Sequence, residues 1–156
     1  MIPRLRAVRA WLALAALVLP TMAALPAQSA GVTAMIADVV RTGSLIVRQV
    51  HFDLATDAPT PGSEAVLSDL LAMLREHDEW TFEVQVHTDE TGAANTDLQL
   101  SAARASAVVH WLVSRGIADH RLVPRGYGSS RPLRAAPSGD PQLRTRRVEL
   151  RKVNEE

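Results

Sequence analysis

The 156-residue chain contains no cysteine, and this absence excludes several functional classes. Without thiols it has no disulfide framework, no thiolate metal site, no catalytic cysteine and no lipid-modified cysteine. Aromatic residues make up only 4% of the sequence, and Tyr127 is the only one that follows Trp111. Because single-stranded nucleic acids are bound on stacking aromatic side chains, the basic C-terminal part is unsuited to that role.

The chain also lacks net charge, but its charges are unevenly distributed. Residues 30–100 contain 12 acidic and 3 basic residues, whereas residues 101–156 contain 5 acidic and 11 basic residues. Segments of opposite sign attract each other within a fold and can frame a ligand that carries both charges. The content of charged residues, 22%, argues against both a disordered chain and a multi-span membrane protein.

Residues 1–29 have the pattern of a secretory signal peptide. Three arginines precede a short apolar run at 10–19, which Pro20 interrupts. The run falls short of the about 20 apolar residues that a membrane-spanning helix needs, which disfavours the alternative of a retained anchor. The small residues Ala27 and Ser29 predict cleavage after Ser29, or a few residues to either side. We therefore predict an exported protein.

The rest of the sequence alternates between strand and helix patterns. Residues 81–87 alternate apolar and polar side chains, as in a strand, whereas the apolar residues of 61–77 recur with the helical period. The predicted elements are a helix in the extension 30–44 that ends near Gly43, strands over 45–52, 81–87, 122–126 and 146–153, and helices over 61–77 and 97–115. After the extension, the order β-α-β-α-β-β predicts a small α/β (α+β) sandwich, with two main helices packed on a mixed sheet, over residues 45–153.

Local signals refine these elements. Thr60 before Pro61, and Asp97 before the second main helix, are predicted N-caps, and Gly116 is a predicted helix stop. In the half-buried strand 81–87, Phe82, Val84 and Val86 are predicted to face one way, and Glu83 and Gln85 the other. The predicted core stripe of the second main helix is Leu100, Ala103, Ala107, Trp111 and Leu112.

Five short motifs follow one another in a single order. They are His87-Thr88-Asp89-x-x-Gly92, Leu100-Ser101-x-x-Arg104-Ala105, Gly116-Ile117, Gly126-Tyr127-Gly128 and Arg146-Arg147-Val148-Glu149. In this order and spacing the chain resembles the OmpA-like peptidoglycan-binding domain, which also occurs in peptidoglycan-associated lipoproteins and in flagellar-motor stator proteins. The resemblance extends over about residues 45–153, and the five matches together make it specific.

The resemblance implies non-catalytic, non-covalent binding of peptidoglycan through the diaminopimelate of its stem peptide. The side chain of this residue ends in an ammonium and a carboxylate on one carbon. A receptor for this head group needs a fixed carboxylate to bind the ammonium and a guanidinium to bind the carboxylate with two hydrogen bonds. The resemblance assigns these roles to Asp89 and Arg104, respectively. It also places Arg146 at the carboxylate, with Arg147 pointing away, and Asp53 and Thr91 at the pocket.

Asp97 departs from the family pattern, which usually has Asn at this position of the site. Of the departures in this sequence, this one bears most on binding. Its carboxylate could neutralise Arg104 and weaken ligand binding, or it could remain a helix cap, which is the favoured interpretation.

Other functions have weaker support. The sequence contains no G-x-S-x-G turn, no glycine-rich phosphate loop and no H-E-x-x-H motif, so we predict neither catalysis nor a cofactor nor a metal site. One alternative is a periplasmic protein–protein adaptor that has lost wall binding. Another is a wall-active metal hydrolase, suggested only by His51-x-Asp53 and His87-x-Asp89, which are better explained as turns. Asp89 and Arg104 alone could also form a plain surface ion pair.

Overall fold

The computed structural model describes residues 29–89, 94–133 and 146–153. The predicted signal peptide, apart from Ser29, lies outside these ranges, as does Thr91. The elements, in chain order, are α1 (Ala30–Thr42), β1 (Ser44–Val47), α2 (Glu64–Glu76), β2 (Phe82–His87), α3 (Ala94–Val113), β3 (Leu122–Gly128) and β4 (Arg147–Lys152), with short 3-10 turns at Pro61–Ser63 and Asp119–Arg121. After α1, the predicted order β-α-β-α-β-β is confirmed.

The four strands form one mixed sheet in the order β1-β4-β2-β3. β4 pairs antiparallel with both β1 and β2, whereas β3 lies parallel to β2. A parallel neighbour requires a crossover connection, and α3 supplies it between β2 and β3. The last strand of the chain therefore lies in the middle of the sheet, and its first residues meet the end of β2.

One face of the sheet and the helices that cover it form the core. Phe82, Val84 and Val86 of β2 are fully buried, as the alternation predicted. The same face continues into the neighbouring strands and the helices through Leu45, Val47, Leu67, Leu70, Met73, Leu74, Ala105, Val108, Leu112, Leu122, Val148 and Leu150. Gln85 is also buried, contrary to the prediction for its face, and its side-chain amide donates a hydrogen bond to Glu83 at 2.9 Å.

Both ends of α1 carry the residues that local propensity favours. The hydroxyl of Ser29 accepts a hydrogen bond from the backbone of Val32, and Gly43 ends the helix in the left-handed conformation, with φ +69°. The predicted stop near Gly43 is confirmed.

The predicted N-cap of α2, Thr60, does not cap the helix. Within the described residues its hydroxyl makes no capping hydrogen bond, and α2 begins only after a 3-10 turn.

β1 is shorter than predicted, and the chain leaves the sheet after Val47. The backbone of His51 both donates to and accepts from the hydroxyl of Ser63, which ties this segment to the start of α2. Phe52 then forms an isolated bridge with Pro59. The segment 48–54 is thereby directed away from the sheet edge.

The buried face of α3 differs from the predicted stripe. Asp97, Ser101, Ala105, Val108, Val109 and Leu112 are buried, whereas Ala103 is exposed and Leu100, Ala107 and Trp111 are only half-buried. The helix therefore turns small and polar residues toward the sheet. Apolar periodicity could not reveal this orientation, because it depends on what lies opposite the helix.

Two glycines of β3 lie opposite that face. A Cβ atom on Gly126 would lie 2.3 Å from the backbone nitrogen of Ala102, and Gly128 has φ +51°. The backbone nitrogen of Gly128 donates to the Ser101 hydroxyl at 2.9 Å. Between the two glycines, Tyr127 is the extra residue of a bulge in the pairing with β2. The Gly-Tyr-Gly motif therefore lets the α3 backbone approach the strand closely.

We predict that Gly126→Ala destabilises the fold by about 1–3 kcal/mol, since the added methyl group has to displace helix backbone. Chemical denaturation would measure the change in the free energy of unfolding. Gly62→Ala is the matched control, because the nearest atom to its Cβ lies 3.9 Å away. Equal stability of Gly126→Ala and wild type would contradict the close approach described above.

Candidate functional site

A cavity of about 680 Å³ lies where β2 ends. Four parts of the described chain form its wall. The segment after β1 contributes Arg48, Val50, His51, Phe52 and Leu54, and the end of β2 contributes residues 86–89. Leu100 and Arg104 of α3 and the pair Arg146 and Arg147 at the start of β4 complete it. The pairing of Arg147 with His87 explains why the start of β4 meets the end of β2 here. The structure thus brings together three of the predicted site residues, Asp89, Arg104 and Arg146.

Asp89 and Arg146 contact each other at the edge of this cavity. Nε of Arg146 lies 3.6 Å from Oδ2 of Asp89. The side chain of Asp89 is 30% exposed and that of Arg146 is 63% exposed. Exposed ion pairs contribute little to stability, so a ligand can compete with this contact at low cost.

Arg104 is more enclosed and is held in place by two contacts. Its side chain is 12% exposed, and Nε donates to Oδ1 of Asp57 at 3.2 Å. Its guanidinium carbon lies 5.2 Å from the centre of the Phe52 ring, within the range of a cation–π contact. Within the described residues the bond to Asp57 uses only Nε, so the terminal NH₂ groups can serve a second acceptor.

Asp57, rather than Asp53, is the acidic residue of this loop that contacts the site. Asp53 is exposed and does not line the cavity, contrary to the prediction from the resemblance. Its carboxylate instead accepts hydrogen bonds from the backbones of Ala55 and Thr56, which lower the pKa of Asp53. Such local turn bonds are typical of aspartate, and no signal in the sequence marked Asp57 as the partner of Arg104.

Asp97 occupies neither of its two predicted positions. α3 begins at Ala94, so Asp97 lies inside the first turn and is not the N-cap. It is 1% exposed, packs against Gly128 and does not line the cavity. The third predicted contact from this region, Thr91, lies outside the described residues.

Arg147 lies in the cavity wall, which corrects the prediction that it points away. Its side chain is 4% exposed, and its Nε lies 3.3 Å from Oε2 of Glu149. Burial lowers the pKa of Arg147, and the neighbouring Glu149 opposes that shift. The physical reason is the central position of β4, which places both arginines of the pair beside β2.

His87 is a buried histidine in the same wall. It is 3% exposed, and its ring stacks on Tyr127 with 5.4 Å between the ring centres. Burial, together with the charges of Arg147 and Arg131, lowers the pKa of His87 to about 4. The imidazole is therefore neutral at pH 7, and the 3.9 Å approach of Nε2 to Glu149 is not an ion pair at that pH.

The lowered pKa of His87 predicts an acid-sensitive stability. The unfolded chain takes up a proton on His87 below about pH 6.5, whereas the folded chain resists protonation until about pH 4. The free energy of unfolding should therefore fall by up to about 3 kcal/mol as the pH drops through this window. Urea denaturation at pH 7 and pH 4.5 would measure the fall. In His87→Gln the free energy of unfolding should fall less between these two pH values than in wild type. An equal fall in the two proteins would refute the lowered pKa of His87 as the cause.

Comparison with known proteins gives the same architecture. The sequence model of the OmpA family matches residues 52–146, more than half of the chain. The crystal structure of the peptidoglycan-associated lipoprotein from Burkholderia pseudomallei superimposes with a TM-score of 0.57 at 27% identity, covering 69% of this chain and 91% of that one.

Two curated relatives match over shorter parts of their own sequences. The probable lipoprotein YiaD of Escherichia coli is 27% identical over 116 residues, which are 72% of this chain and 53% of the relative. The peptidoglycan-associated lipoprotein of Mesorhizobium japonicum is 31% identical over 85 residues, 54% of this chain and 51% of the relative. The chain thus spans about half the length of these relatives.

The described residues contain neither a group of metal-ligating side chains nor a helix that could span a membrane. Across 29–89, 94–133 and 146–153, no three His, Asp or Glu side chains are grouped as metal ligands would be. Within the same ranges, no helix has the length and apolar character needed to cross a bilayer.

Proposed function

Because this chain belongs to the OmpA family, we propose that it binds peptidoglycan without catalysis or a covalent bond, through the diaminopimelate of the stem peptide. The observation that carries the proposal is the pair of opposite charges in one cavity wall. The carboxylate of Asp89 follows β2, and the guanidinium of Arg104 projects from α3. Each contacts a different side chain, Arg146 and Asp57 respectively.

The charges of this wall suit a zwitterionic head group. The ammonium of the ligand would bind Asp89, and the carboxylate would accept hydrogen bonds from the terminal NH₂ groups of Arg104, with Arg146 as a second cation. Charge-assisted and bidentate hydrogen bonds of this kind are the strong ones in proteins. Phe52 and Leu100 supply apolar wall area for the methylene chain that carries the head group.

The pattern of the N-terminal residues and the names of two relatives support the periplasm as the place of this binding. The N-terminal residues have the pattern of an export signal. Two of the relatives compared above carry names that state an association with peptidoglycan. We propose that the domain contacts the cell wall there.

Co-sedimentation with insoluble peptidoglycan sacculi tests this function. Wild type should sediment with the sacculi, whereas Asp89→Asn and Arg104→Gln should each weaken binding by at least about tenfold, the value of one charge-assisted bond. Added salt should weaken wild-type binding as well, because the exposed charges are screened.

Asp38→Asn and Arg41→Gln are matched controls. These residues form an exposed ion pair on α1, with Nη2 and Oδ1 2.7 Å apart, and do not line the cavity. Both controls should sediment like wild type. If wild type stays in the supernatant, the adaptor alternative is favoured; if wild type sediments together with both site variants, Asp89 and Arg104 do not form the clamp.

A further inference from the structure

The unpaired buried polar atoms of this protein converge on one place. Among the described residues, the buried side-chain nitrogen and oxygen atoms without a hydrogen-bond partner are Nε of Arg48, both ring nitrogens of His87 and Oγ1 of Thr88. All three residues line the cavity described above. His87 and Thr88 are 3% and 4% exposed, so neither side chain is simply solvated at the surface.

Such atoms are rare in folded proteins, since an unpaired buried polar group loses its hydration without gaining a hydrogen-bond partner. The zwitterion site of Asp89, Arg104 and Arg146 does not use them. Their clustering in one cavity indicates that a bound group supplies the missing partners.

The balance of charge in the wall indicates the sign of that group. Of the described residues that line the cavity, four are arginines and one, Asp89, carries a carboxylate. The carboxylate of Asp57 contacts Arg104, and the carboxylate of Glu149 contacts Arg147. Arg48, in contrast, has no carboxylate within ion-pair distance among the described residues, and its charge repels that of Arg147.

We propose that Arg48 and Thr88, with the neutral imidazole of His87, form a second carboxylate subsite, so that the preferred ligand is a peptide with two separate carboxylates and one ammonium. The inference rests on the proposed function, which places the zwitterionic end of the ligand at Asp89 and Arg104. The guanidinium of Arg48 and the hydroxyl of Thr88 donate hydrogen bonds to the second carboxylate. Arg48 lies outside the residues that the OmpA family model matches.

Calorimetric titration of the intact chain with two synthetic peptides tests the subsite. Both peptides are acetylated at the N-terminus and end in a diaminopimelate whose main-chain carboxyl is amidated, so that its head group carries one ammonium and one carboxylate. In one peptide the preceding residue is a glutamate with a free carboxylate, and in the other that carboxylate is amidated. Wild type should bind the first peptide at least about tenfold more tightly, the value of one hydrogen bond to a charged group.

Variants at Arg48 separate the new subsite from the zwitterion site. Arg48→Met should lose the preference, binding the peptide with the free carboxylate no more tightly than the amidated one. Arg48→Lys should retain part of the preference, because it keeps the charge. Arg41→Met, on the exposed face of α1, is the matched control and should behave like wild type.

The two proposals fail in different ways. If Arg104→Gln abolishes binding of both peptides but wild type does not distinguish them, the second subsite is refuted and the proposed function stands. The subsite is also refuted if Arg48→Met weakens both peptides equally. If wild type binds neither peptide, or if Arg104→Gln binds both like wild type, the proposed function itself fails.

Discussion

The close packing of α3 on the backbone of β3 is the contact on which the geometry of the cavity depends. Gly126 and Gly128 leave no side chain between strand and helix, and the hydroxyl of Ser101 bonds directly to the strand at Gly128. A helix held by its backbone has little freedom to rotate or slide. Arg104, one turn further along α3, is therefore delivered to a fixed position beside the end of β2.

The charged groups of the wall are held before any ligand arrives. Asp57 and the Phe52 ring fix the guanidinium of Arg104, and Glu149 does the same for Arg147. Preorganised charges bind more tightly because the cost of ordering them is met during folding rather than during binding. The unpaired buried atoms of His87 and Thr88 lower the stability of the fold.

The sheet order explains how residues from both ends of the described chain form one wall. β4 inserts between β1 and β2, so its first residues lie against the end of β2, while the chain that leaves β1 turns toward the same place. Arg48 and Arg147 are almost a hundred positions apart in sequence, yet both line the cavity. Such long-range pairing carries no local signal, which is why the orientation of Arg147 and the contribution of Arg48 and Asp57 escaped sequence reasoning.

The sequence alone determined the order of strands and helices and the stop of α1 at Gly43, because periodicity and caps are properties of neighbouring residues. The resemblance carried by its motifs also nominated Asp89, Arg104 and Arg146, which line one cavity in the structure. Only the tertiary structure decided which face of α3 is buried and where β1 ends. It also decided that Asp53 and Asp97 do not line the cavity, that Arg147 does, and that Asp57 contacts Arg104. These outcomes depend on what packs opposite each residue: two glycines facing α3, and a last strand in the middle of the sheet. A linear pattern of residue types does not contain that information.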